Sequence, residues 1–315
     1  MSRSEIRKDY FKDELVIIAP KRAARPHTVR TVSETRGICY FCPDFFQNEV
    51  ITYRDDNYNG DWEILSTVNK FPYVSLDNPE AYGQAEVLIE TRQHGLDIND
   101  FSVDHIVRIF NAYTDRFEAL KNIDKIKHVI IFKNEGGKAG NSIDHSHSQI
   151  VALPFLPPKT EIEGLAYNKY RLEHATCPYC DAIIKETEKK DRIIWEDENV
   201  FVLAPWASNS PYGAWFLPKR HVRFLSDLTR AEKESIAIAM KILLTKLDQV
   251  GIAYNYFVEN AVNQEDYHMH IKLAPRPNVW GGLELGTGII VNPIAPEYAA
   301  KFYRGEVKIE SDPKY

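Results

Sequence analysis

Apolar residues recur three and four apart in two long stretches of this 315-residue chain, and each stretch opens on polar residues. The first runs from Asp100-Phe-Ser-Val-Asp-His-Ile-Val-Arg-Ile-Phe-Asn-Ala-Tyr to about Lys121. The second runs from Leu228-Thr-Arg-Ala-Glu-Lys-Glu-Ser-Ile-Ala-Ile-Ala-Met to about Gln249. That spacing predicts two amphipathic helices, and Thr229 followed by Glu232 predicts a capping box on the second. After each helix comes a strand-like run, His128-Val-Ile-Ile-Phe-Lys and Tyr254-Asn-Tyr-Phe-Val-Glu. Before them lie Glu86-Val-Leu-Ile-Glu-Thr in one half, and Phe201-Val-Leu-Ala and Ala214-Trp-Phe-Leu in the other. The order of strands, helix, strand and a final His-x-His strand therefore occurs twice. It predicts a duplicated α+β unit on an antiparallel sheet with helices in each half. The expected units are residues 1–160 and 161–315, joined by the polar, charged segment from Pro157 to Arg171.

Composition narrows the function. With 44% hydrophobic and 27% charged residues, the chain reads as a soluble globular protein, long enough for two domains with their own cores. A net charge of -6 argues against general affinity for nucleic acid or an anionic membrane, while leaving room for a local basic pocket. No run approaches 18 apolar residues, and the polar start MSRSEIRKDY has no signal-peptide core, so a cytoplasmic protein is expected.

The cysteines add chemistry to the repeat. All four lie in two CxxC pairs, Cys39/Cys42 and Cys177/Cys180. After the first pair, His94 and His145 follow at gaps of 52 and 51 residues; after the second, His221 and His268 follow at 41 and 47. In a reducing compartment such pairs favour metal over disulfide. Two thiolates from each turn and two imidazoles from distant segments satisfy tetrahedral zinc and leave no open position, so both sites are expected to be structural. Iron at one site remains an alternative. His27, His105, His128 and His174 have no place in the repeat and read as ordinary histidines.

One difference between the copies identifies the reactive half. In a strand, residues two apart face the same side, so His145, His147 and Gln149 line one face. With His145 on the metal, His147 stands beside a rigid anchor and stays free. A neutral imidazole attacks phosphorus and leaves a covalent phosphoramidate. Gln149 is placed to donate an N–H to a non-bridging phosphate oxygen. Upstream, Asn134-Glu-Gly-Gly-Lys-Ala-Gly-Asn-Ser142 offers glycines for close backbone approach to phosphates and a serine hydroxyl. The second copy reads His270-Ile-Lys272 without glutamine or glycine-rich approach, so His270 is expected to be structural or to contact substrate rather than to react.

The order of CxxC, lone His, glycine-rich loop and Ser-x-x-His-x-His-x-Gln resembles the galactose-1-phosphate uridylyltransferase family of the histidine-triad superfamily. The resemblance covers nearly the whole chain. Val16-Ile-Ile-Ala-Pro-Lys-Arg22-Ala-Ala-Arg25-Pro26 is similar to the family's N-terminal strand and Arg-containing turn, and Val68-Asn69-Lys-Phe-Pro72 to its nucleotide-contacting segment. His221 lies in the familiar Leu-Pro-Lys-Arg-His, and Gly282-Leu-Glu284 resembles part of the sugar-binding tail. The resemblance implies a histidine-triad-type fold in both halves, usually a homodimer, and a ping-pong reaction. In it the nucleophile, here His147, takes UMP from UDP-glucose and passes it to galactose 1-phosphate. It further implies Gln149 and Ser142 on phosphate oxygens, Asn69 and Asn134 at the nucleotide, Arg22 and Arg25 supplying positive charge, and Glu284 at the sugar.

Ser146 stands where the best-known members carry proline, and the tail lacks the lysine and glutamine that they use on the sugar phosphate. The His-Ser-His-Ser-Gln form looks closer to archaeal and bacterial members and to ADP-glucose phosphorylases. A phosphorylase acting on ADP-glucose or a dinucleoside polyphosphate is therefore the main alternative. A hydrolase is disfavoured by Gln149 in place of a third histidine. A non-enzymatic zinc scaffold, disfavoured by the wide ligand gaps and the surplus His147, comes after it.

Overall fold

The computed structural model describes residues 5–18, 38–47, 50–261 and 266–307. Among these, ten strands form one antiparallel sheet. In chain order they are β3 (Ile51–Asp56), β4 (Trp62–Val68), β5 (Gln84–Ile89), β6 (His128–Glu135) and β7 (His147–Leu153), then β8 (Ile193–Glu196), β9 (Val200–Leu203), β10 (Ala214–Pro218), β11 (Tyr254–Glu259) and β12 (His270–Pro275). Their spatial order is β3-β4-β5-β7-β6-β11-β12-β10-β9-β8. The order of the first five is repeated in reverse by the second five, so the duplication is a pseudo-two-fold. Its halves meet where β6 pairs with β11, with Phe132 opposite Phe257 and Asn134 opposite Asn255.

Helices α1 (Val103–Lys121) and α4 (Arg230–Asp248) pack against each other on one face of this sheet. Both lie where their periodicity predicts them. Ser102 caps α1 by accepting from His105 N at 3.1 Å, and Thr229 with Glu232 forms the expected capping box on α4. The main core is shared between the halves: Ile106, Phe110 and Phe117 of α1 and Ile236, Met240 and Leu243 of α4 cover Leu88, Ile131, Ile150, Phe216, Val258 and Ile271. Burying these apolar faces is the main drive for closing the sheet under the helices.

The segment expected to connect the halves, Pro157 to Arg171, lies almost entirely in a helix, α2 (Pro158–His174). Its only buried residue is Tyr167, so its sequence carries little apolar periodicity. With α3 (Pro178–Lys189) it covers the other face of the second half, where Tyr167 and Tyr179 pack on Phe201, Leu203, Trp215 and Leu217. A small sheet of β1 (Glu5–Lys8), β2 (Leu15–Ile18) and β13 (Ile290–Asn292), the last parallel to β2, ties the chain ends together. Helices α5 (Gly282–Thr287) and α6 (Pro296–Tyr303) flank it. Among the described residues no helix is long and apolar enough to cross a membrane.

Candidate active site and metal centres

The first Cys39–Cys42 segment is a tight turn, closed by Cys42 N donating to Cys39 O at 3.1 Å. It brings both thiols to His94, in the loop after β5, and to His145, just before β7. The four ligand atoms lie within 4.8 Å of one another. His145 Nδ1 is 3.5 Å from Cys39 Sγ and 3.7 Å from Cys42 Sγ, and His94 Nδ1 is 3.7 Å from Cys42 Sγ. Nε2 of His145 donates to Thr91 O at 2.8 Å, which holds Nδ1 toward the thiols.

The second cluster repeats this design. Cys177, Cys180, His221 and His268 also converge within 4.8 Å. Cys180 Sγ lies 3.5 Å from His221 Nδ1 and 3.4 Å from His268 Nδ1, and His268 Nε2 donates to Pro218 O at 2.9 Å. In both halves the accepting carbonyl comes three residues before the lone histidine. Two soft thiolates and two imidazoles with pinned outer nitrogens fit a metal ion such as zinc.

His147 follows immediately. Its Nδ1–H donates to the His145 carbonyl at 2.8 Å, which leaves Nε2 with the lone pair. The Phe41 ring, between the two cysteines, packs edge-on at 5.1 Å. Burial of the imidazole lowers its pKa from the ordinary histidine value, so the neutral form persists through physiological pH. Gln149 lies on the same strand face, half-buried, between Val87 of β5 and Phe132 of β6.

The reverse face of β7 carries a buried polar network that the sequence did not reveal. Lys133 Nζ lies 2.6 Å from Glu90 Oε2, 2.8 Å from Asp97 Oδ1 and 2.7 Å from Ser146 Oγ. Glu90 also accepts from Tyr113 at 3.0 Å and from Ser148. Burial opposes the charge on Lys133, but the Asp97 and Glu90 carboxylates outweigh it and raise its pKa. Ser146, the residue in the proline position, is thus a working member of the strand's support.

Of the other expected residues, Asn134 is the last but one of β6, and Ser142 lies exposed beyond the loop, whose Gly136 and Gly140 take φ of 81° and 86°. Asn69 follows β4, its N–H on Ala85 O at 2.9 Å. Glu284 caps its own helix, accepting from Gly281 N at 2.9 Å. Arg22 and Arg25 lie outside the described residues. One contributor was missed: Asn255, from the second half, donates to Asn134 Oδ1 and to Ala139 O, both at 2.8 Å. It braces the glycine-rich loop across the pseudo-two-fold. No local motif announces it, because its partners lie more than a hundred residues away.

Residues 163–278 match the family profile described as the galactose-1-phosphate uridyl transferase C-terminal domain, and residues 23–156 that of the N-terminal domain of a domain of unknown function, DUF4931. The chain is 27% identical to the galactose-1-phosphate uridylyltransferase of Thermotoga maritima over 97% of its own length and 99% of that protein. It is 28% identical to the ADP-glucose phosphorylase of Arabidopsis thaliana, covering 95% and 92%. The crystal structure of an Arabidopsis thaliana ADP-glucose phosphorylase with bound ADP-glucose superposes with a TM-score of 0.85, at 28% identity, over 97% of this chain and 100% of that one. A uridylyltransferase structure superposes at 0.75, with 26% identity, over 96% and 97%. Along nearly its whole length, in sequence and in fold, this protein is therefore similar to galactose-1-phosphate uridylyltransferases and to the ADP-glucose phosphorylase of Arabidopsis thaliana.

Proposed function

We propose that the protein is a nucleotidyltransferase that works through a covalent nucleotidyl-histidine at His147, with UDP-glucose as donor and a hexose 1-phosphate, galactose 1-phosphate first, as acceptor. The observation that carries this is the hydrogen bond from His147 Nδ1 to the His145 carbonyl, which leaves a buried, neutral Nε2 pointing away from its own backbone anchor. Nε2 attacks the α-phosphorus of the donor. The bond from that phosphorus to the bridging oxygen breaks, its electron pair leaves with glucose 1-phosphate, and UMP stays on Nε2. The acceptor's phosphate oxygen then displaces Nε2 in the reverse sense. Gln149 and Ser142 donate to the non-bridging oxygens as charge builds there. Asn69 and Asn134 contact the nucleotide, Glu284 the sugar, and Arg22 and Arg25 add positive charge.

Zinc is the ion we assign to both clusters, where it would hold the Cys39/Cys42 turn and His145 and so the start of β7. The cytoplasm is its expected compartment and a homodimer its expected state. Metal analysis should find about two zinc ions per chain. His145→Ala should lose the first-half ion and lower the melting temperature, because binding energy at such a site is folding energy. Retention of two ions by that variant would remove His145 from the ligand set.

A second reading follows from the likeness to the Arabidopsis phosphorylase: ADP-glucose as donor and inorganic phosphate as acceptor. One experiment separates the two. Intact-protein mass is recorded after brief incubation with UDP-glucose or ADP-glucose and no acceptor. A UMP adduct discharged by galactose 1-phosphate supports the uridylyltransferase. An AMP adduct discharged by phosphate moves the assignment to the phosphorylase. No adduct from either removes covalent transfer from these donors.

A further inference from the structure

The second half repeats the geometry around His147 position by position, with different residues at several of the positions. His270 matches His147: its Nδ1 donates to the His268 carbonyl at 2.9 Å, as His147 does to His145. Tyr179, between the second pair of cysteines, packs on His270 at 4.3 Å, as Phe41 packs on His147. Lys272 occupies the position of Gln149. His270 is fully buried, and its Nε2, the atom that would react, has no hydrogen-bond partner among the described residues.

The space in front of this copy holds a carboxylate. Glu163 projects from α2, and its Oε1 accepts from Tyr267 OH at 2.6 Å, from Lys272 Nζ at 2.9 Å and from Tyr179 OH. Its Oε2 accepts from Lys272 Nζ at 2.8 Å, and Lys12 Nζ stands 3.8 Å away. Glu259, 3.3 Å from Lys272, and Glu14, 3.2 Å from Lys12, partly balance the two lysines. Three donors on one carboxylate oxygen, two of them tyrosines in an aromatic wall, make an oxyanion site rather than an ordinary surface ion pair. Along the chain, Glu163 stands as far ahead of Cys177 as Arg25 stands ahead of Cys39. The two positions matched by this spacing therefore differ in charge between the halves: arginine and neutral glutamine in the first, glutamate and lysine in the second.

We propose that the second half retains a small-oxyanion site, the counterpart of the phosphoryl position in the first half, which the chain fills with its own Glu163 carboxylate. The occupant converts a duplicated reactive site into internal support: it satisfies Lys272, Tyr179 and Tyr267 and seals His270 from any donor. Shortening the occupant reopens the site to an anion of carboxylate size. The equivalence to a phosphoryl position rests on the reading of Gln149 above. The oxyanion site itself does not, and its test uses no substrate.

The test is thermal unfolding of the full-length protein in rising sodium acetate, against sodium chloride at matched ionic strength. Glu163→Ala should melt below the wild type, and acetate should recover at least half of the deficit with saturation. Wild type and Glu163→Gln, whose side chains still fill the site, should show no acetate-specific gain. Glu163→Ala/Lys272→Met should also fail to respond. If Glu163→Ala does not fold in chloride, its refolding yield in acetate is the same measurement, and no recovery at any concentration overturns the proposal. An equal gain in all variants, or none in Glu163→Ala, overturns it as well. Adduct formation at His147 in Glu163→Ala should stay within a few-fold of the wild type. Loss of that adduct in the wild type would instead count against the nucleotidyl-transfer reading alone.

Discussion

Replacing His147 by alanine is expected to abolish the nucleotidyl adduct and to lower turnover on the order of 10⁴–10⁶-fold, the scale seen when a covalent nucleophile is removed from its catalytic unit. The fold should survive. His147 contributes one strand-face imidazole packed on Phe41, and its backbone keeps its ladder position opposite Ile89 of β5. Neither metal cluster uses it, so the variant should hold the same metal as the wild type. The discriminating pair of readings is adduct mass with bound metal. A metal-loaded His147→Ala protein with wild-type turnover would remove the nucleophile from the mechanism. His147→Gly with added imidazole offers the complementary gain of function, since a free imidazole entering the vacated space would restore a nitrogen at the same place.

Lys133→Met is expected to cost about 3–5 kcal/mol of folding stability, the range for breaking a buried ion pair from one side. Lys133 is fully buried, and it is the cation against which Glu90, Asp97 and Ser146 are arranged. Removing it strands the fully buried Glu90 carboxylate and the partly buried Asp97 carboxylate behind β7 without their ammonium partner. Denaturant unfolding measures the loss, and a change below about 1 kcal/mol would show that the network is solvated and dispensable. Lys133→Met/Glu90→Gln should recover part of the deficit, because the second change removes one of the stranded charges. The network lies directly behind the His145–His147 backbone, so its loss should also reduce the rate of adduct formation in whatever protein remains folded.

Much of this molecule is written locally. The two long helices are legible because their apolar spacing and the Thr229–Glu232 box are properties of neighbouring residues. The ligand sets are legible because CxxC and His-x-His recur in the same order, and the His147–Gln149 pair follows from strand alternation. Other features depend on what packs beside a segment. Helix α2 buries only Tyr167, so its polar sequence reads as a connector until the second half gives it a face to cover. Lys133 looks like one more strand residue until Glu90, just after β5, and Asp97 beyond it arrive behind β7. Asn255 gains its role only because β11 pairs with β6 and carries it to Asn134 and the glycine-rich loop. Glu163 reads as a solvated helix charge until α2 lays it against Lys272. By itself, then, the sequence determined the repeat, the two Cys2His2 groupings and the candidate nucleophile His147, since those follow from spacing along one strand or turn. The tertiary structure alone decided how the halves join, what braces β7 and the glycine-rich loop, and what fills the second site. Each of these is a contact between groups far apart in the chain, and its energy exists only once burial has brought them together.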